Sequence, residues 1–169
     1  MRLASLIFLM FLCSSCKKLT EFTFSDICNF EIQSTSSINT PFTIPTPPVT
    51  SNSKTSFASN QTDANHIEHI TLQQLSLTIT NPSGQNFDFL SSIKITISAS
   101  GLPDQQIASL DNVPKGVTTL QFNSNGADLA AYVKQDSYTL GVTVVTDQVL
   151  TQNIYIQANT VFYVKAKII

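Results

Sequence analysis

The chain has 169 residues, with 9 Lys and Arg against 11 Asp and Glu and a formal net charge of −2. That is the length of one ordinary domain, and an acidic balance of this kind excludes a polyanion such as DNA as the natural partner. Only 12% of the residues are charged, so Ser, Thr, Asn and Gln must cover most of the surface, as in exported β-proteins rather than cytosolic helical ones.

Arg2 precedes an apolar run from Leu3 to Leu12, which is followed by Ser14, Ser15 and Cys16. A basic start, an apolar centre and small residues before a cut are the parts of an export signal. About ten apolar residues cannot span a bilayer, which takes about twenty as a helix, so residues 1–15 are expected to be removed. Cys13-Ser14-Ser15-Cys16 resembles the lipobox of a lipoprotein (type II) signal, in which two small residues precede the cysteine that is acylated and becomes the new N-terminus. The departure is Cys13, which stands where a branched apolar residue is usual, with Leu12 one place further out. Modification at Cys13 would put Leu12 directly before the cut, where a small side chain is needed. The resemblance therefore implies lipidation at Cys16 and, through it, the membrane as a partner. Lys17-Lys18 offer neither an acidic inner-membrane retention residue nor an acidic surface-export cluster, which implies the periplasmic face of the outer membrane.

The expected organisation is a signal peptide over residues 1–15, a tether over 16–21 and a single domain over 22–169, with a Pro/Ser/Thr-rich segment at about 33–65. Among charged residues only Arg2 leaves with the signal, so the mature balance is 8 basic against 11 acidic residues. Loss of Cys13 and acylation of Cys16 leave Cys28 alone, which excludes an internal disulfide. Cys28 is expected to be a small, partly buried apolar residue, with an exposed thiol as the alternative. A catalytic cysteine needs a base beside it, and the histidines lie about forty residues away.

Phe22, Phe24, Ile27, Phe30 and Ile32 recur with near alternation, interrupted around Asp26, and predict a first strand with a possible bulge. The prolines Pro41, Pro45, Pro47 and Pro48 exclude a helix and a central strand. Phe42, Ile44 and Val49 punctuate that stretch, so it is expected to lie extended along a sheet edge. Asn52 to Asn65 is polar, with Phe57 as its one apolar anchor. Thr62-Asp63 is expected to cap a helix of at most two turns through Asn65, His66 and Glu68, with Ile67 and Ile70 facing inward.

From Thr71 the alternation is clearest. Leu72, Leu75, Leu77 and Ile79 precede an Asn81-Pro82-Ser83-Gly84 turn, and Ile93, Ile95, Ile97 and Ala99 follow on one face of the next strand. Gly101-Leu102-Pro103-Asp104 turns the chain into Gln105 to Leu110, and Val117, Leu120 and Phe122 mark another strand. Asp128 to Lys134 predicts a short helix with Leu129, Tyr132 and Val133 on its apolar side. Leu140, Val142 and Val144, then Ile154, Ile156, Phe162, Val164, Ala166 and Ile168, line two closing strands. Short strands at regular spacing predict a mainly β fold, an antiparallel β-sandwich with one or two short helices, with a small β-barrel as the alternative. A membrane-spanning barrel would need more segments of about ten residues with an apolar outward face.

His66 and His69, with Glu68 between and Asp63 before, are the one group of ligand types at close spacing. On a helix the two imidazoles would share a face, and on a strand they would point apart; without a third ligand motif the expectation is a solvated polar end and no metal. No GxSxG, CxxC, HExxH, P-loop or dinucleotide fingerprint occurs, and no cofactor is expected. Asp104, Asp111, Asp128, Asp136 and Asp147 fall at predicted turns and element ends, where carboxylates cap and turn the chain. Any pair of them acting as in a glycosidase would have to flank one groove.

Asn81-Pro82 directly after the strand Leu75 to Thr80 resembles the strand-Asn-Pro signature of the late-embryogenesis-abundant, water-stress β-sandwich domain, over about Thr71 to Ile169. Cys16-Lys17-Lys18, Leu75-Ser76-Leu77-Thr78-Ile79, Phe87-Asp88-Phe89-Leu90, Ile97-Ser98-Ala99-Ser100-Gly101-Leu102-Pro103 and Lys134-Gln135-Asp136 give the mature chain a resemblance to small, functionally uncharacterised cell-envelope lipoproteins of Bacteroidota. Together these imply a non-enzymatic, lipid-anchored domain that binds or scaffolds an envelope protein, glycan or lipid, and no nucleic acid. Periplasmic binding or transport of a small apolar ligand between the sheets is the alternative, and a weak hydrolase a third.

Overall fold

A computed structural model describes residues 20–167. Cys16, the tether before Thr20, and Ile168 lie outside the described residues. Nine strands, β1 (Glu21–Ile32), β2 (Phe42–Ile44), β3 (Val49–Thr50), β4 (Ile67–Asn81), β5 (Leu90–Ser98), β6 (Gln105–Leu110), β7 (Thr119–Phe122), β8 (Ser137–Thr146) and β9 (Ile154–Ala166), form two sheets. One sheet has the order β1-β9-β4-β7; the other runs β2-β8-β5-β6, with β3 also on β8. All the strand pairs are antiparallel, and the sheets do not close into a barrel. The protein is a β-sandwich with two short helices, α1 (Ser53–Ser59) and α2 (Ala130–Val133).

The core is the two inner faces set against each other. Ile70, Leu75 and Leu77 of β4 and Phe162 of β9 face Ile95 and Ile97 of β5 and Leu140 and Val142 of β8, all fully buried or nearly so. Burial of this kind contributes about 25 cal/mol per Å² of apolar surface and is the main term holding the sheets together. Alternation dictated it: every second residue of β8 and β9 is buried.

β1 departs from the sequence expectation. Its register with β9 runs without a shift from Glu21 opposite Lys165 to Ile32 opposite Ile154, so there is no bulge at Asp26. Phe22, Phe24, Asp26, Cys28, Phe30 and Ile32 all point inward, and Ile27 points out, 57% exposed. The strand keeps its parity because the interior supplies hydrogen-bond partners to Asp26, so a carboxylate occupies a core position that apolar patterning alone would deny it.

The region before β4 is also reorganised. In place of a helix running through Glu68 there is a single 3-10 turn, Ala64–His66, whose first free amide, Asn65 N–H, donates to Asp63 Oδ1 at 2.7 Å. β4 already begins at Ile67. Register shifts between Ile67 and His69 and between Leu72 and Gln74 turn two pairs of residues three apart, Ile67 with Ile70 and Leu72 with Leu75, to the same buried side. A bulge thus imitates the three-residue spacing of a helix. The helix of this region lies earlier: α1 seats Phe57 edge-on against Phe22 and Phe24, with ring centroids 6.2 and 6.4 Å apart.

The proline-rich segment runs along the sheet edge as expected. β2 and β3 both pair with β8, and Pro45, Pro47 and Pro48 fall between them, where no ladder amide is required. The 101–104 turn is taken with Gly101 at φ 75°, a backbone conformation that favours glycine.

Candidate functional site at the chain-start end of the sandwich

The first described residue, Thr20, is fixed at one end of the sandwich, its carbonyl accepting from Ala166 N–H at 2.7 Å. At the same end Lys167 N–H donates to the His66 carbonyl at 2.7 Å, and Lys134 Nζ donates to the Ile67 carbonyl at 3.1 Å. These bonds bring together the start of β1, the end of β9, the turn before β4 and the residues after α2. α1 belongs to this end too, because Phe57 packs on the first inward residues of β1; it carries Lys54, which pairs with Asp136.

Between α1, the residues after α2 and the end of β5 lies an open groove of about 670 Å³, walled by Lys54, Lys134, Asp136, Ser98, Ser100 and Ser137. One wall is Ser98 to Ser100, where β5 passes into the 99–104 turn. Gln135 Nε2 donates to the Ser100 carbonyl at 3.2 Å and Tyr132 Oη–H to the Pro103 carbonyl at 2.8 Å, which tie α2 to that turn. The groove is lined with hydroxyls, two ammonium groups and one carboxylate together with Pro48, Ala99 and Tyr138, a surface of mixed polar and apolar character.

The histidines split between two carboxylates. His66 Nδ1 lies 3.0 Å from Asp63 and His69 Nδ1 lies 2.8 Å from Asp128, while Glu68 approaches Lys165 at 3.6 Å. Since His66 sits in the 3-10 turn and His69 on β4, they do not share a helix face. Among the described residues no three metal-ligating side chains converge. For Asp128, partial burial acts to raise the carboxyl, but hydrogen bonds from His69, Ala130 N–H and Ile70 N–H outweigh it and hold the group below its ordinary value. Asp63 is also held low, first by the Asn65 amide.

The other carboxylates do not form a catalytic pair. Asp104 and Asp111 flank the two ends of β6, and Asp147 pairs with Lys115 at 3.1 Å at the opposite end of the sandwich. Of the five, Asp136 alone lines the groove. Cys28 is buried, with its thiol directed to the Pro47 carbonyl, and burial pushes its ionisation up, which makes it a poor nucleophile.

One polar cluster escaped the sequence reading altogether. Asp26, 1% exposed, accepts from Asn52 N–H at 2.9 Å through Oδ1 and from the Tyr138 hydroxyl at 3.1 Å through Oδ2. Thr160 Oγ1 donates to the Asp26 carbonyl at 3.1 Å and lies 3.3 Å from the Tyr138 oxygen. The cluster joins β1 and β9 of one sheet to β8 of the other. Burial is the leading cause that raises the Asp26 carboxyl, opposed by the Asn52 and Tyr138 bonds, and burial with the neighbouring Asp26 drives the Tyr138 phenol far above its usual range.

No family model matches the chain, and no curated protein matches it. A solved structure from desmodium yellow mottle tymovirus aligns with 88% of this chain and 90% of its own at 11% identity and a TM-score of 0.32, a similarity too low to bear on fold or function. No helix among the described residues is long and apolar enough to cross a membrane.

Proposed function

We propose that the protein is a lipid-anchored β-sandwich of the cell envelope that acts by binding or scaffolding rather than by catalysis, held at the periplasmic face of the outer membrane. The observation that carries this reading is the run Arg2, Leu3 to Leu12, Ser14-Ser15-Cys16, followed after a very short tether by the first strand of the sandwich. An acyl anchor of several chains holds a polar domain at a bilayer durably, since each buried methylene contributes about 0.8 kcal/mol.

The alternative of a small apolar ligand held between the sheets draws little support from the interior, where the buried side chains of the two inner faces pack into one continuous core. The deciding experiment is fractionation of a bacterial host expressing wild type or Cys16→Ala. Wild type in the outer-membrane fraction and the variant released to the soluble periplasm is the expected result; equal solubility of both would end the anchor reading.

A further inference from the structure

The edges of the two sheets are not finished alike. β7 has four residues, β6 has six with a register shift against β5, and β2 and β3 have three and two with Pro45, Pro47 and Pro48 between them. Short strands, irregularities and prolines are devices that stop an edge from pairing with another chain. β1 is an edge strand too, with β9 as its one neighbour in the sheet, but it has 12 residues in unbroken register. Its even-numbered residues turn their backbone to β9: the Thr20 carbonyl accepts from Ala166 N–H at 2.7 Å and the Asp26 carbonyl from Thr160 Oγ1 at 3.1 Å. The N–H and C=O groups of the odd-numbered residues therefore point to the free edge. At Ser25 that edge is occupied, since the Ser25 carbonyl accepts from Asn52 Nδ2 at 2.9 Å. For the N–H and C=O groups of Ile27, Asn29 and Glu31 there is no hydrogen-bond partner among the described residues. Asp26, an inward charge of the kind that discourages pairing, lies just before this window and is bonded inside the sandwich.

We infer that Ile27 to Glu31 is a docking edge for an extended segment of a partner protein, which adds to the sheet as a strand beside β1. Main-chain bonds to the three free N–H and C=O pairs hold the segment, and its alternate side chains select it. Those on the outer face meet Ile27, Asn29 and Glu31. Glu31 has no ion pair among the described residues and Ile27 is 57% exposed, so the segment carries a lysine or arginine opposite Glu31 and, four places away, an apolar residue opposite Ile27. The neighbours of the basic residue turn inward, where a hollow of about 280 Å³ lies between the end of β1 and β2, lined by Glu31, Gln33, Phe42, Ile44 and Pro45. That hollow takes an apolar side chain of the incoming strand. A second copy of this chain is the poorer occupant: paired edge to edge, its β1 keeps Phe30 and Ile32 in its own core and puts nothing into the hollow. The docking edge names a partner for the binding role proposed above and rests on that reading, but not on the anchor.

The first test is amide hydrogen exchange, read by NMR on the purified whole protein with or without an acyl group, so that a failed anchor and a failed edge are told apart. In the free protein the Ile27, Asn29 and Glu31 amides should exchange fast while those of Cys28 and Phe30 are slow. Slow exchange at all five would overturn the proposal, in favour of a second copy if the protection fades on dilution and of the chain's own residues if it does not. Selection from a displayed library of random peptides should enrich segments with the order apolar, basic, apolar, and a synthetic copy of an enriched peptide should slow the Ile27, Asn29 and Glu31 amides. N-methylation of its residues opposite those three should abolish binding, and N-methylation of the alternate residues should leave it intact. Glu31→Lys should keep the wild-type thermal midpoint, weaken the peptide by about tenfold and favour a version with glutamate in place of the basic residue. A library that yields no binder, or a peptide that binds equally well after N-methylation of either set or protects amides elsewhere, would overturn the docking edge.

Discussion

The two ends of the sandwich are built differently. The end away from Thr20 is stapled shut: Lys115 Nζ donates to the Asp88 and Leu90 carbonyls at 2.7 and 3.2 Å and pairs with Asp147, while Gln148 Nε2 donates to the Asp88 carbonyl and Gly116 N–H to its carboxylate. Beneath these loops Phe87 and Phe89, both buried, plug the gap between the sheets, their ring centroids 6.2 Å apart. The chain-start end is closed instead by helices, Phe57 of α1 and Leu129, Tyr132 and Val133 around α2 being buried there, with a groove beside them whose rim carries Lys54, Asp136, Ser100 and Ser137, all exposed. Loops braced to one another and to the core serve stability.

The largest effect should come from breaking the closed end. Phe87→Ala removes a fully buried ring and is expected to cost about 3–5 kcal/mol, read by denaturant unfolding. Next is the cluster that bolts the sheets together: Asp26→Ala strands the Asn52 amide and the Tyr138 hydroxyl and should cost about 1–3 kcal/mol.

Asp26 also sets a pH dependence with a definite sign. Its folded carboxyl lies above the ordinary 3.8, so the folded chain holds that proton more tightly than the unfolded chain. The stability it contributes is complete below 3.8 and is lost as pH rises through the folded value. Asp63 and Asp128, held low, behave oppositely and lose their contribution as pH falls below 3.8. Thermal midpoints across acidic pH should therefore show Asp26→Asn gaining on wild type as pH rises; parallel curves would contradict the assignment.

Smaller effects separate the ends further. Lys115→Ala, half-exposed but bonded to two carbonyls, should cost about 1 kcal/mol after allowance for solvent screening. Lys54→Ser removes a largely exposed ion pair with Asp136 and should change stability by no more than about 0.5 kcal/mol. If the two substitutions had equal effects on the denaturant midpoint, the contrast between a braced end and an open one would fail. Cys28 should react with a thiol reagent only at the rate of unfolding, since its side chain is buried.

Alternation made the sandwich legible. Ile93, Ile95 and Ile97 of β5, Leu140, Val142 and Val144 of β8, and Ile154 and Ile156 of β9 are buried as their period of two required. The failures have physical causes. A core carboxylate broke the apolar pattern of β1 without breaking its register, because its partners, Asn52, Tyr138 and Thr160, come from 26, 112 and 134 residues away. Two bulges in β4 wrote a helical spacing into a strand, and α1 has no side-chain cap to announce it. The groove was not legible, since Lys54, Ser98, Lys134 and Asp136 become neighbours only when α1, β5 and the segment between α2 and β8 are folded together.

The most direct measurement is the intact mass of the protein extracted from membranes of a bacterial host. A chain beginning at Cys16 and carrying a diacylglyceryl group with an N-acyl chain is the predicted result. A chain that begins elsewhere, or one that begins at Cys16 with an unmodified thiol, would contradict the account.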